Sequence, residues 1–160
     1  MNIRPATAAD RTRIKEILVS TARFTPQEVG WAMELVDKWL REGAPGEYSV
    51  HVLEDDAGVQ GYVCYAPTPK AEGVFDLYWI AVDVQRQGEG IGQVLLRFVE
   101  NEVRRRDGRM LLIETSSKRS YAPTVRFYLH AGYHEISRIK DFYRIEDDKV
   151  VFCKHLTAQP

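Results

Sequence analysis

The sequence predicts an α/β fold in which a single mixed, partly antiparallel sheet is flanked by helices. Three observations lead there. Segments with apolar residues at helical spacing alternate with short strand-like runs. Two of those runs, 47–54 and 59–66, are separated only by Asp55-Asp56-Ala57-Gly58, which reads as the turn of a central hairpin. The run 110–115 is nearly all apolar, as suits a strand in a sheet centre covered on both faces.

Residues 2–6 read as a short strand, with Pro5 at its end. Thr7 or Asp10 caps a first helix that buries Ile14, Ile17 and Leu18. Thr25-Pro26 opens a second helix, and Glu28 completes a capping box with Thr25. Its apolar positions are Val29, Ala32, Leu35, Val36, Trp39 and Leu40, and Gly43-Ala44-Pro45-Gly46 ends it. After the hairpin comes a strand over 74–82, a glycine-rich turn and a third helix stopped by Asp107-Gly108. Pro123 stands near the start of a fourth helix, which Gly132 closes. Runs 133–139 and 149–156 read as the last strands, joined by Glu146-Asp147-Asp148. The predicted order is β-α-α-β-β-β-α-β-α-β-β.

With 160 residues, 44% of them hydrophobic, the chain is expected to form one domain over 1–160. A net charge of −1 gives no global field toward nucleic acid or membrane. Arg104-Arg105-Arg106 reads as solvated cations complementing a helix C-terminus. Cys64 and Cys153 lie in apolar runs, which fits buried thiols in a reducing compartment. No metal-ligand spacing is present, and no signal core or membrane-spanning run. A cytoplasmic protein is expected.

The stretch Gln85-Arg86-Gln87-Gly88-Glu89-Gly90-Ile91-Gly92 carries the chemistry. It joins an apolar strand to a helix start, where unpaired N–H groups and the helix dipole favour an anion. Glycines at alternate positions let the backbone approach a phosphate closely. The dinucleotide fingerprint would need a third glycine at Gln93, and no Gly-Lys-Ser/Thr ending of a nucleotide-binding P-loop occurs.

In this context the turn resembles the pyrophosphate loop of the GNAT superfamily of acyl-CoA-dependent N-acyltransferases, Q/R-x-x-G-x-G/A. Gln87-Gly88-Glu89-Gly90-Ile91-Gly92 matches it, as does the overlapping stretch from Gln85. Thr124-Val125-Arg126-Phe127-Tyr128-Leu129-His130-Ala131-Gly132-Tyr133 resembles a second family segment, A-x-x-F-Y-x-x-x-G-F. The two motifs stand in family order, and the element order agrees over nearly the whole chain.

The resemblance implies an acetyl-CoA-dependent N-acetyltransferase acting on a primary amine of a small molecule or peptide, with a homodimer through a strand or hairpin edge. It implies that Gln87, Gly88, Glu89, Gly90, Ile91 and Gly92 hold the pyrophosphate, and that Ile80, Ala81 and Val82 line the pantetheine arm and offer an oxyanion donor. Tyr128 matches the tyrosine that protonates the departing thiolate. Asp76, or Glu114 on the next strand, would serve as general base. Where the family often has asparagine, this chain has Tyr121, which with Thr124 could contact the pantetheine. Arg86 and Arg126 could meet cofactor phosphates. Phe24, Trp31, Tyr78, Phe142 and Tyr143 could line the acceptor site. Two rivals compete with this reading: a non-catalytic acyl-CoA sensor, and a nucleotide-binding regulatory domain.

Overall fold

The structure, a computed structural model, describes residues 1–156; the last four residues of the expected domain lie outside the described residues. The predicted order of elements is present: β1 (Asn2–Pro5), α1 (Arg11–Ser20), α2 (Pro26–Glu42), β2 (Ser49–Asp55), β3 (Gly58–Pro67), β4 (Val74–Val82), α3 (Ile91–Arg105), β5 (Met110–Ser116), α4 (Ala122–His130), β6 (His134–Arg144) and β7 (Asp147–His155). The strands form one sheet in the order β1-β2-β3-β4-β5-β7-β6. All neighbours are antiparallel except β4 and β5.

Local chemistry sets the helix ends. Thr25 Oγ1 accepts the Glu28 N–H at 3.1 Å and the Glu28 carboxylate accepts the Thr25 N–H at 3.4 Å, so the box that opens α2 is closed on both sides. Gly43 ends the helix at a φ of +64°. At the end of α3 it is Asp107 that takes the left-handed angle, at +59°. Gly108 is required for closeness instead, because a Cβ there would lie 2.3 Å from Val103 Cγ1. Arg106 is not simply solvated: its guanidinium lies 4.9 Å from the centre of the Phe75 ring.

Each face of the sheet has its own core. Ile14, Ile17 and Leu18 of α1 and Val36 of α2 pack on Val50, Val52 and Tyr62. On the other face Leu95, Leu96, Val99 and Val103 of α3, with Tyr128 of α4, pack on Val63, Leu77, Leu111 and Ile113. Full burial of one such side chain contributes about 1.5–3 kcal/mol.

Three expectations are corrected. The central hairpin turns more tightly than predicted: Asp55 pairs with Gly58, leaving only Asp56 and Ala57 between the strands. β5 is not covered on both faces, since Leu112 is half-buried and Glu114 exposed while Leu111, Ile113 and Thr115 are buried. β6 runs on to Arg144, beyond the predicted end, because residues 140–143 bulge out and Arg144 then pairs again with Asp147. All of β6 is exposed, and it forms one edge of the sheet.

His51 of β2 stacks on Tyr65 at 5.8 Å and meets Phe98 at 4.7 Å, and its Nδ1 is buried without a partner. Burial pushes its pKa down to about 4. The folded state therefore binds fewer protons than the unfolded chain between about pH 4 and the ordinary histidine value near 6.5. Stability should fall as pH falls through that window. His51→Phe keeps the stack and removes the titration. Urea unfolding at pH 7 and pH 4.5 should show a smaller acid loss in the variant, by on the order of 1 kcal/mol once solvent contact is allowed for. Equal losses in the two proteins would mean that His51 does not titrate in this window.

Candidate active site

The site begins where β4 and β5 separate. They pair at four positions only, from Val74 with Met110 to Leu77 with Ile113. On its other side β4 stays paired with β3 as far as Val82 with Gly61, but the register shifts: Cys64 pairs with Trp79 and Tyr65 with Leu77, so Tyr78 is a bulge. An inserted residue reverses the alternation of side chains. Phe75 and Leu77 belong to the α3–α4 core; past the bulge it is Ile80 and Val82 that pack there, while Trp79 and Ala81 pack on the α1–α2 side. Beyond Leu77 the β5 side of the β4 backbone is free. A cleft of about 1050 Å³ opens there, at the upper end of small-molecule sites.

The glycine turn closes one end of this cleft. Gly88 and Gly90 have φ of +83° and +82°, angles that L side chains rarely adopt. Gly92 serves packing: a Cβ there would touch the Phe127 ring at 3.4 Å. The first turn of α3 closes with the Val94 N–H on the Gly90 carbonyl, which leaves the preceding N–H groups for an anion. Gln87 Nε2 donates to the Val82 carbonyl at 3.4 Å and ties the turn to β4. Arg86 lines the cleft but is bound to Asp55 at 2.8 Å and Glu89 at 2.7 Å, a pairing that holds its charge and raises its pKa. Arg126 is exposed and outside the cleft.

Tyr128 is 3% exposed, packed among Phe127, Tyr133 and Phe152, and lines the cleft. Burial pushes its pKa well up, and the nearby Arg23 charge acts in the opposite direction. The phenol is therefore protonated at neutral pH. Asp76 lines the same cleft and accepts one hydrogen bond, from Thr68 Oγ1 at 2.7 Å. Glu114 is more heavily engaged. Tyr143 donates to one of its oxygens at 2.6 Å, and Lys149 lies 3.2 Å from the other.

Of the expected site residues, the cleft brings together Asp76, Tyr78, Ile80, Ala81, Val82, Gln87, Gly88, Gly90, Ile91, Gly92, Glu114, Tyr121, Thr124, Tyr128 and Tyr143, with Phe24 and Trp31 at the α1–α2 end. Glu89 and Phe142 are not in its wall. Glu89 turns to Arg86 instead. Phe142 and Tyr143 sit side by side in the β6 bulge, their rings edge to face, so only one of them turns inward; Phe142 lies outside under Lys149, 4.9 Å from its ring centre. The hydroxyl of Tyr121 is spent on Glu28 at 3.4 Å and on the Arg23 carbonyl at 3.5 Å.

Several cleft residues had no signal in the sequence. Asp147 is 3% exposed beside Ser116 and Lys118, and became a site residue only because β7 starts earlier than predicted. Arg23 lies between two helices, in no motif. Among the described residues there is no cluster of metal-ligating side chains, and no helix is long and apolar enough to cross a membrane.

The sequence profile of the acetyltransferase (GNAT) domain matches residues 46–135. A solved structure from Desulfovibrio desulfuricans, assigned to the GNAT family of acetyltransferases, is similar to this chain with a TM-score of 0.93. Its sequence identity is 42%, covering 98% of this chain and 99% of that one. An aminoglycoside 6'-N-acetyltransferase complexed with coenzyme A is similar in fold, with a TM-score of 0.77 at 15% identity over 100% and 99% of the two chains. So is the ribosomal-protein-alanine N-acetyltransferase from Brucella melitensis, with a TM-score of 0.74 at 23% identity over 98% and 100%. No curated protein gave a significant match.

Gly90 allows a direct test of the turn. A Cβ at this position meets no atom within 4 Å, so Gly90→Val acts through its φ of +82° and not through a clash inside the protein. The strain is about 1–2 kcal/mol, small enough for the chain to fold while the N–H groups are re-aimed. Acetyl-CoA at ~100 times its Kd should stabilise the wild type by about 2.7 kcal/mol in a thermal melt. The folded variant should lose that shift. A folded variant with the full shift would show that the turn does not hold the cofactor.

Proposed function

The chain belongs to the GNAT family of acetyltransferases, with acetyl-CoA as acyl donor, and from this premise we propose that it acetylates a primary amine by direct attack of the nitrogen on the thioester. The observation that carries this reading is the separation of β4 from β5, beside which the open β4 backbone, the glycine turn, Tyr128 and Asp76 share one cleft. The pyrophosphate rests on the N–H groups of the 87–92 turn. The pantetheine arm runs along Ile80, Ala81 and Val82, and a backbone N–H of this stretch meets the developing oxyanion.

The chemistry balances with two side chains. The amine lone pair forms the C–N bond and the C–S bond breaks, its electron pair leaving on sulfur. Sulfur takes the proton of Tyr128, which recovers one from solvent. The surplus proton on nitrogen passes to Asp76. Asp76 is preferred over Glu114 because it has one neutral hydroxyl donor, whereas Glu114 holds both Tyr143 and Lys149. The acceptor enters between α2 and the β6 bulge, past Phe24, Trp31, Tyr78 and Tyr143. A second copy would add to the unpaired edge of β6.

The reading is tested by release of free CoA from acetyl-CoA with tyramine, spermidine, an aminoglycoside and an alanine-initiated peptide, which sample four acceptor classes. Hydrolysis without any amine-dependent release would refute it. Tyr128→Phe should lower kcat about ten-fold or more with little change in acetyl-CoA affinity, because the hydroxyl acts only as the C–S bond breaks. Single-turnover transfer as fast as in the wild type would make Tyr128 a packing residue. Asp76→Asn should slow turnover most at low pH, where more of the amine is protonated. A pH profile parallel to that of the wild type would remove Asp76 from the mechanism.

A further inference from the structure

Arg23 is the half-buried arginine of the cleft wall that has no ion pair among the described residues; Arg144, also in the wall without one, is exposed. Arg13 is paired with Asp83 and Arg86 with Asp55 and Glu89. Among the described residues, no carboxylate lies within ion-pair distance of Arg23. Its guanidinium donates instead to a neutral group, Thr124 Oγ1, at 2.8 Å. An arginine with no counter-ion in the wall of a reaction cleft has its charge free for whatever the cleft contains.

Its position is held from both ends. Ala22, immediately before it, has a φ of +54°, a strained angle for alanine that the surrounding contacts must offset. One such contact is the Tyr121 hydroxyl on the Arg23 carbonyl, which ties the α1–α2 segment to the start of α4. Thr124 and Tyr128 are four residues apart on α4, so they share a helix face and lie one turn from each other. A guanidinium held on Thr124 therefore stands over the face that presents the Tyr128 ring.

We infer that Arg23 is an electrostatic positioning residue for acyl transfer: its guanidinium, fixed by Thr124, stabilises the negative charge left on the Tyr128 oxygen as its proton passes to the departing sulfur. This rests on the proton-donor reading of Tyr128 given above. The phenol is buried, so a charge left on its oxygen is costly without a cation nearby. No proton moves to or from Arg23. The C–S electron pair goes to sulfur, the Tyr128 proton follows it, and the cation lowers the energy of the phenolate that is left. The effect of Arg23 on the phenol, opposite in sign to that of burial, agrees with this placement.

The experiment is a double-mutant cycle on Arg23 and Tyr128, read by single-turnover acyl transfer from acetyl-CoA. Hydroxylamine is the acceptor probe, a small nucleophile with no anionic group for an arginine to bind. Thermal melts confirm that each variant is folded. Arg23→Met should slow transfer about ten-fold, with the acetyl-CoA KM within about two-fold of wild type, and Arg23→Lys should recover most of the rate. In a Tyr128→Phe background the same Arg23→Met change should cost less than about three-fold. Equal losses in both backgrounds would overturn the inference, since the two residues would then act independently. So would an unchanged hydroxylamine rate in Arg23→Met, or a Lys variant as slow as the Met variant. If Tyr128→Phe is slow and Arg23→Met is not, this inference fails alone. If Tyr128→Phe transfers at the wild-type rate, the proton-donor reading fails and this inference with it.

Discussion

The structure depends on one constraint: β4 must leave β5 after Leu77 without exposing either core. Buried backbone polar groups must be paired, so a strand cannot simply let go of its neighbour inside a sheet. Here the parting occurs where β4 already has a bulge, at Tyr78. The bulge reverses the side-chain alternation, sending Ile80 and Val82 to the α3–α4 core and Trp79 and Ala81 to the α1–α2 core. Each core stays closed while the β4 backbone between them is uncovered on one side. The free groups can then be satisfied by water or by the polar arm of a cofactor, and the glycine turn follows directly at the end of the same strand.

The order of elements could be read from the sequence because it is written in local signals. Thr25-Pro26 with Glu28, Gly43, Pro123 and Gly132 each mark a helix end by a mechanism that works without the rest of the fold. The glycine turn was legible for the same reason. What could not be read is register. The three-residue difference between opposing strands around Phe142 and Tyr143 decides which ring enters the cleft, and no periodicity encodes it. The exposure of Glu114 is of the same kind: β5 has the composition of a strand covered on both faces, yet the neighbour that would cover its far end has moved away. Arg23 was invisible because its partner Thr124 is 101 residues along the chain, and a loop arginine has no pattern of its own.

The charges around the cleft are mostly spent on one another. Arg86 is shared between Asp55 and Glu89 at the glycine turn, and Lys149 stands on Glu114 at the opposite wall. These pairs hold the walls of the cleft in place. Among the described residues Asp76, Glu28 and Arg23 are half-buried in the wall with neutral hydroxyl partners and no ion pair, and Arg144 is exposed without one. In a low-dielectric wall an uncompensated charge is costly, so Asp76 and Arg23 are among the groups whose charge the bound reactants would meet.

The alternation along β4 also puts Asp76 and Tyr128 on different sides of the sheet. Phe75 and Leu77 face the α3–α4 core, so Asp76 between them faces the α1–α2 side. Tyr128 comes from α4, on the other side. An amine arriving along α2 would meet the carboxylate first, and a thiolate departing toward α4 would meet the phenol, with the thioester carbon lying in the gap between the strands. Proton removal and proton delivery are then separated by the sheet itself. In the proposed reaction the parting of β4 from β5 thus does more than admit a ligand: it is the opening through which two faces of one sheet would act on a single carbon atom.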